Sequence, residues 1–209
     1  FVALLGWSPA DNQEIMTLSE LEKAFDYTHI GKSPAVLDTS KLRWMNGEYI
    51  KKMDDEAYLE KAKPFIMQVI DDESKVPAVG AMVKSRIEVF PDILPLIDFL
   101  KEVPEYGCDM YKHKKMKTDE AISLQVLKDV MPVIEAAPDF TNDALYQLLL
   151  AFASEKGLKN GQVMWPIRTA LSGKAMTPGG ATQLLEVLGK EESLKRVAAA
   201  IEKLTAEAS

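Results

Sequence analysis

The sequence predicts an all-α fold. Along most of the chain, apolar residues recur at intervals of three and four, as at Leu127, Val130 and Ile134, and this spacing places them on one face of a helix. No stretch shows the strict apolar–polar alternation that is typical of a half-buried strand. The chain has 209 residues, of which 47% are hydrophobic, so it is long enough to bury a sizeable core.

The first half of the chain carries a helix start, a break and four further helices. Thr17 and Glu20 have the spacing of a capping box and open a short helix that extends to about Phe25. A polar connection from Gly31 to Pro34 follows this helix. Periodic apolar residues, with a proline in the first turn of the last segment, predict helices at 39–53, 54–67, 76–89 and 91–100.

The second half is predicted to be helical almost throughout, after a polar join at Gly107. The expected helices lie at 118–136, 141–156, 161–171, 178–188 and 191–206. We expect seams near Asp54 and near Glu105–Gly107, where polar and charged residues separate the periodic segments. The chain is therefore expected to contain three units, 1–54, 55–106 and 107–209.

Bulk charge and a few rare residue types limit the possible functions. The formal net charge is −7, which taken globally argues against a nucleic-acid binder, since contacts to phosphates need Lys and Arg. Cys108 is the one cysteine, so no internal disulfide framework is possible and a reducing, cytoplasmic location is expected. With only two histidines in the chain, a His-based metal cluster is not expected.

Two further features of the sequence concern membrane association and the N-terminal start. No apolar run approaches the roughly 18 residues of a membrane span, so we expect no membrane partner. The chain starts on the apolar run 1–5 with neither a methionine nor a helix cap. We interpret this start as a cut inside a longer parent protein.

Two short motifs resemble nucleotide sites and fail on closer reading. His29-Ile30-Gly31-Lys32 resembles the HIGH signature of a class I nucleotide site, which needs a helix N-terminus for the phosphates. Pro34 pushes the preceding residue away from helical geometry, so no helix is expected to begin there. Ser172-Gly173-Lys174 resembles a P-loop, but the glycine required five residues before Gly173 is Arg168. We therefore expect no catalytic residue in this chain.

The charge is distributed unevenly, because three stretches contain lysines or arginines and no acidic residue. They are 75–86, 111–117 with four lysines, and 156–185 with Lys156, Lys159, Arg168 and Lys174. Such stretches can form a positive face on a chain that is acidic overall. The plain alternative for any one of them is a solvated patch without function.

The segment Thr177-Pro178-Gly179-Gly180 is the most distinctive short motif for a binding site in the sequence. Thr177 can cap a helix and Pro178 suits its first position, while the glycines leave the backbone open to phosphates or base edges. The alternative is an ordinary capped helix start. Trp165 could be a stacking platform for bases or a core ring, and we favour the core.

Several sequence blocks, in this order and at matching spacing, are similar to those of bacterial-type glutamyl-tRNA synthetases. The blocks are 1–9 (FVALLGWSP), 32–38 (KSPAVLD), 41–42 (KL), 44–46 (WMN), 49–50 (YI), 161–164 (GQVM), 166–168 (PIR), 170–173 (ALSG), 177–179 (TPG) and 188–191 (LGKE). The resemblance covers almost the whole chain.

This resemblance implies a role in holding tRNA rather than in chemistry. The family's catalytic nucleotide domain, which uses ATP and Mg²⁺, would lie upstream of residue 1, so this chain is expected to bind no cofactor and to catalyse nothing alone. Its partner would be tRNA(Glu) and not DNA, and the parent is expected to be a monomer. Residues 1–54 would contact the tRNA stem, and 55–106 and 107–209 would be two helical-bundle anticodon-binding subdomains.

The resemblance also implies roles for particular residues. Arg168 matches an arginine that faces the anticodon, and Thr177-Pro178-Gly179 matches a turn that contacts anticodon bases. Arg86, with Lys84 as the alternative, would distinguish the third anticodon base. Arginine there accompanies enzymes restricted to glutamate tRNA and glutamine accompanies relaxed ones, because guanidinium donors suit a cytosine edge and meet the donors of guanine badly. Contacts to the tRNA stem or backbone are expected from Lys41, Arg43, Trp44, Lys156, Lys159 and Lys174.

Two other classes of protein stay open on the residues alone. A helical protein-interaction module would fit an acidic helical chain without an enzyme motif, and it would bind its partner without salt sensitivity. An independent enzyme built on the region around His29 would bind ATP, which we do not expect.

Overall fold

The computed structural model describes residues 1–31 and 36–207, and the regular structure of these residues is helical. Their only β pairing is an isolated bridge between His113 and Thr118, so the predicted all-α fold is confirmed. The connection around Pro34 and the lysine of the His29–Lys32 motif lie outside the described residues. No helix of the described ranges is long and apolar enough to cross a membrane.

The α-helices of the described residues follow one another along nearly the whole chain. In order they are α1 (Leu18–Ala24), α2 (Thr39–Lys52), α3 (Asp55–Ile66), α4 (Val76–Val83), α5 (Ile93–Ile97), α6 (Glu120–Glu135), α7 (Asn142–Glu155), α8 (Asn160–Ser172), α9 (Ala181–Leu188) and α10 (Lys190–Glu207). Most bounds lie within two residues of the prediction.

Side-chain caps explain why several helices begin where the sequence predicts. The Thr17 hydroxyl accepts the Glu20 N–H at 3.2 Å and the Glu20 carboxylate accepts the Thr17 N–H at 2.6 Å, so the predicted capping box of α1 is present. Asp38, Asp54 and Asp119 cap α2, α3 and α6 in the same way with single carboxylates. Each cap satisfies N–H groups that a helix start leaves free.

The predicted helix 76–89 is too long, whereas 91–100 is helical as predicted, with 3₁₀ turns over Phe90–Asp92 and Asp98–Leu100 on either side of α5. α4 ends at Val83 and is followed by a 3₁₀ turn over Lys84–Arg86, after which the chain is extended at Ile87. The cause is Asp92, whose carboxylate accepts the N–H groups of both Glu88 and Val89 at 3.0 Å. These N–H groups are thereby withdrawn from helical bonding.

The predicted helix start at Pro178 is also wrong. α9 begins at Ala181 after the N-cap Gly180, whose N–H donates to the side-chain oxygen of Gln183 at 2.9 Å. The Thr177 hydroxyl does not cap the helix, because it donates to the Gly179 carbonyl at 2.7 Å. The Thr177–Gly180 segment is thus a compact turn in front of α9.

One buried core runs through the helices from α2 to α10. It includes Tyr58, Phe99, Leu127, Ile167 and Leu204, and it continues across the seam expected near Gly107. The expected units 55–106 and 107–209 therefore share a core, to which the first unit adds Ile50 and Met53, and the boundaries of the units stay a prediction.

Arg196 of α10 donates hydrogen bonds to residues on both sides of the seam expected near Gly107. It is 5% exposed, and its guanidinium donates to the carbonyls of Phe99 at 2.8 Å, Leu100 at 3.0 Å and Leu171 at 2.7 Å. Two of these carbonyls precede the seam and one ends α8. The arginine therefore holds the end of α8 against the segment that follows α5.

Candidate nucleic-acid interface

Helices α4 and α9 pack side by side and run in opposite directions. At one end the Lys75 ammonium donates to the Leu188 carbonyl at 3.2 Å. At the other end Gly179 lies so close to Met82 that a Cβ at residue 179 would have no room. This arrangement brings the turn at 84–86 and the loop at 173–180 to the same end of the molecule, although they are far apart in sequence.

Arg86 is exposed at this end, and among the described residues its side chain has no hydrogen-bond or ion-pair partner. Its position is fixed by the backbone that follows it. The Asn46 amide of α2 donates to the Glu88 carbonyl, and Gly47 lies so close that a Cβ there would come within 3.2 Å of the Ile87 carbonyl. The backbone at Arg86 is therefore held in place, and its guanidinium is free to bind.

Lys84, the alternative to Arg86, is engaged inside the fold. Its ammonium donates to the Met53 carbonyl at 2.7 Å and to the Asp55 carboxylate at 2.6 Å. It also lies 5.2 Å from the ring centre of Tyr58, and the side chain is only 17% exposed. These contacts use the charge of Lys84 to fasten the start of α3.

Arg168 stands beneath the loop at 173–180. Its guanidinium donates to the Ala175 carbonyl at 2.7 Å and to the Thr177 hydroxyl at 3.4 Å, and it lies 4.3 Å from the ring centre of Trp165. Burial lowers the pKa of Arg168, but the group stays charged at neutral pH because an ordinary guanidinium pKa exceeds about 12. The predicted residues Arg168 and Thr177 are therefore in contact, and Pro178 and Gly179 are buried beside them.

A pocket of about 220 Å³ opens between α8 and the start of α9. Its wall includes Met116, Met164, Trp165, Arg168 and Gly180, and is mostly apolar apart from the guanidinium. The Trp165 indole N–H donates to the Met110 carbonyl at 3.1 Å, so the ring is fixed in place. Trp165 is half-buried, neither enclosed in the core nor free in solvent, and no sequence signal had indicated the two methionines.

Most of the other predicted contact residues already have partners. Lys41 is paired with Glu14, Lys156 lies 3.7 Å from Asp129, and Lys174 bonds to Asp98 and to the Pro95 carbonyl. By contrast, Lys159 is exposed and Trp44 is 42% exposed. The expected backbone contacts therefore differ widely in how available their side chains are.

Arg43 is likewise engaged, with two carboxylates of the segment that follows Arg86. It lies 3.1 Å from Glu88 and 2.8 Å from Asp92. Burial alone would raise the pKa of the Asp92 carboxyl. Hydrogen bonds from the Val89 N–H, from Arg43 and from the Glu88 N–H favour its charged form more strongly, so this pKa lies below its usual range. The ion pair fastens α2 to the backbone that positions Arg86.

The region around His29 lacks the geometry of a nucleotide site. His29 is exposed and pairs with Asp26 at 3.0 Å, in a short 3₁₀ turn over Tyr27–His29 rather than at a helix start. The described residues also contain no group of three His, Cys, Asp or Glu side chains that could hold a metal ion.

Comparisons with known proteins agree on one family. The sequence pattern of the anticodon binding domain matches residues 57–201. A glutamate–tRNA ligase of Lachnoclostridium phytofermentans is 53% identical over 205 residues, which are 98% of this chain and 42% of that protein. The corresponding ligase of Clostridium novyi is 49% identical over 208 residues, covering 98% of this chain and 43% of that protein.

Solved structures show the same likeness. A crystal structure of a glutamate tRNA ligase from Elizabethkingia meningosepticum, in complex with its amino acid, matches with a TM-score of 0.82 and 32% identity over 97% of this chain and 40% of that chain. The chain thus spans about two fifths of the length of the proteins that it resembles. From its sequence pattern and its fold, the chain belongs to the anticodon binding domain family, and it is similar to the matching part of glutamate–tRNA ligases.

Proposed function

We propose that this chain binds tRNA(Glu) and reads its anticodon within a larger glutamate–tRNA ligase. The observation that carries the proposal is the position of Arg86. Its guanidinium is exposed and unpaired among the described residues, and it shares one end of the molecule with the loop at 173–180. Two reading points on a rigid surface suit single-stranded RNA, whose unstacked bases present their edges to side chains.

Arg86 reads the third anticodon base in this proposal. Lys84 is the weaker candidate, because a base could bind its ammonium only after the bonds to Met53 and Asp55 had broken. The guanidinium of Arg86 needs no such rearrangement. Guanidinium donors favour the cytosine edge and oppose the donors of guanine.

The loop at 173–180 and the pocket beside it receive the other anticodon bases. Two N–H groups of the Arg168 guanidinium donate to the Thr177 hydroxyl and the Ala175 carbonyl. The guanidinium has further N–H groups that can donate to a base. The apolar wall formed by Trp165 and the two methionines offers a surface against which a base can stack. Arg168 therefore both shapes the loop and binds RNA.

ATP and Mg²⁺ act elsewhere in the parent ligase, in a catalytic domain that this chain does not include. Of the two motifs here that resemble nucleotide sites, the described part of the one around His29 does not begin an α-helix, and the one at Ser172–Lys174 lacks the first glycine of a P-loop. The contribution of this chain is to orient the tRNA so that its acceptor end reaches that domain. We also propose that the parent is a cytoplasmic monomer that binds neither DNA nor membranes.

The proposal is tested by measuring binding to tRNA(Glu) over a salt series, beside a tRNA with guanine as the third anticodon base. We expect affinity to fall steeply with salt and the chain to prefer cytosine by about 1–3 kcal/mol, the value of one good base contact. Arg86→Gln should abolish this preference and leave the salt dependence nearly unchanged.

Lys84→Gln is the matched comparison. It should weaken the fold by loosening α3, yet the preference for cytosine should persist in the folded protein. If Lys84→Gln removes the preference and Arg86→Gln does not, the assignment of Arg86 is wrong. Absence of salt-sensitive tRNA binding by the unaltered chain would contradict the proposed function and favour a protein-interaction module.

A further inference from the structure

Residues 113–118 form a closed hairpin that includes most of the basic stretch 111–117. The N–H of His113 donates to the Thr118 carbonyl at 3.0 Å, and the reverse bond measures 3.3 Å. Inside the hairpin the His113 Nδ1 accepts the Met116 N–H at 3.2 Å, and Lys117 has a positive φ of 57°. A non-glycine residue in this conformation needs support from its surroundings, so the hairpin is a defined structure.

The hairpin is fastened to α8 directly beside the pocket. The His113 and Trp165 rings have their centres 4.0 Å apart, and the Gln162 amide donates to the Lys117 carbonyl at 3.3 Å. Met116 packs so closely on Gly161 that a Cβ there would meet its sulfur. Because Met116 and Trp165 also line the pocket, the hairpin is part of its rim.

The tip of the hairpin carries two free cations. Lys114 and Lys115 are exposed, and neither has an ion-pair or hydrogen-bond partner among the described residues. Lys112, just outside the hairpin, differs because it pairs with Glu120 at 2.6 Å. With about 3.8 Å between successive Cα atoms, both tip residues lie within about 8 Å, Cα to Cα, of His113, whose ring contacts Trp165 at a tilt.

We propose that the tip of this hairpin is a phosphate-binding element that holds the RNA backbone beside the pocket. This inference rests on the proposed function, because a base can enter the pocket only if its own phosphates pass the rim. Of the lysines expected from the sequence to contact the backbone, Lys41, Lys156 and Lys174 are paired with carboxylates and Lys159 is exposed, and the hairpin adds unpaired charge at the rim of the pocket. Contacts of this kind position RNA and carry no sequence information.

An acidic protein partner would also be attracted by two exposed lysines. RNA is favoured because the lysines border a pocket whose wall combines an indole, thioethers and a guanidinium, which suits a base rather than a carboxylate side chain. The same charge on an otherwise acidic chain, of net charge −7, also makes this end the natural point of approach for a polyanion.

The test compares the double variant Lys114→Gln/Lys115→Gln with the matched double variant Lys61→Gln/Lys101→Gln. Lys61 and Lys101 are also exposed, and Lys101 lies near Leu188 at the opposite end of α9. Each protein is titrated with tRNA(Glu) and with the guanine variant at several salt concentrations. Both pairs lose the same net charge, so the comparison separates local contact from overall attraction.

We expect the hairpin variant to reduce the slope of log K against log salt by about 1.4, which is the value for two phosphates of single-stranded RNA. Affinity should fall equally for both tRNAs, so the preference for cytosine is retained. An unchanged slope in a chain that still discriminates the two tRNAs would overturn the hairpin proposal and leave the proposed function intact. Equal losses in both double variants would also overturn it, and no discrimination by the unaltered chain would overturn the proposed function itself.

Discussion

Replacing Arg196 with methionine is expected to lower the free energy of unfolding by about 3–5 kcal/mol. The substitution keeps much of the buried volume but removes every donor. The carbonyls of Phe99, Leu100 and Leu171 then lose charge-assisted hydrogen bonds in a region without solvent. Each buried acceptor left without a partner costs part of its desolvation energy.

Urea unfolding followed by far-UV circular dichroism measures this loss. Lys195→Met is the matched control, because Lys195 is the preceding residue of α10 and its side chain is 78% exposed. We expect it to change stability by less than about 0.5 kcal/mol. A loss at Arg196 as small as that at Lys195 would show that the three carbonyls find other donors.

Gly173→Ala is expected to destabilise the protein by about 2–5 kcal/mol. Gly173 ends α8 with a φ of +60°, a conformation that is unfavourable for any residue with a Cβ. A methyl group there would come within 2.8 Å of Tyr106 and Val103 side-chain carbons and within 3.1 Å of the Pro104 carbonyl. Because one of these neighbours is backbone, the loop at 173–180 must shift.

Gly157→Ala separates the conformational cost of a positive φ from the steric cost of crowding around the new methyl group. Gly157 also has a positive φ, of 67°, but no atom lies within 4 Å of the Cβ position, so only the conformational cost of about 1–2 kcal/mol remains. We expect the Gly173 variant to lose more stability in thermal unfolding and to bind tRNA(Glu) more weakly. Equal losses at the two glycines would mean that the space around Gly173 adapts without strain.

The sequence predicted helices well where local signals determine them. The capping box at Thr17 and Glu20 depends on residues three apart, and a single carboxylate marks the start of α2, α3 and α6. The break after Val83 was missed because it depends on Asp92, whose side chain takes N–H groups that a continuous helix would use. No short-range pattern distinguishes an aspartate that does this from one that is solvated.

The candidate site, like the helices, was predicted from the sequence only where local signals determine it. Family resemblance pointed to the neighbourhood of Arg86, but the choice between Arg86 and Lys84 depends on the Met53 carbonyl and Asp55, which are about thirty residues away in sequence. Arg196 was not singled out at all, since nothing in the residues around it separates a buried arginine from an exposed one. The engagement of Lys84 and the burial of Arg196 therefore became visible only from contacts between segments that are distant in sequence.

The way in which Arg86 is held has a consequence for how such proteins diverge. Its neighbours Ile87 and Glu88 are fixed by α2, while the side chain of Arg86 makes no hydrogen bond or ion pair with the described residues. A glutamine at this position is therefore expected to cost almost no stability and, under the proposed function, to change the base that is accepted. Under the proposed function, one substitution at residue 86 would thus narrow or relax tRNA specificity while the fold stays above its stability threshold.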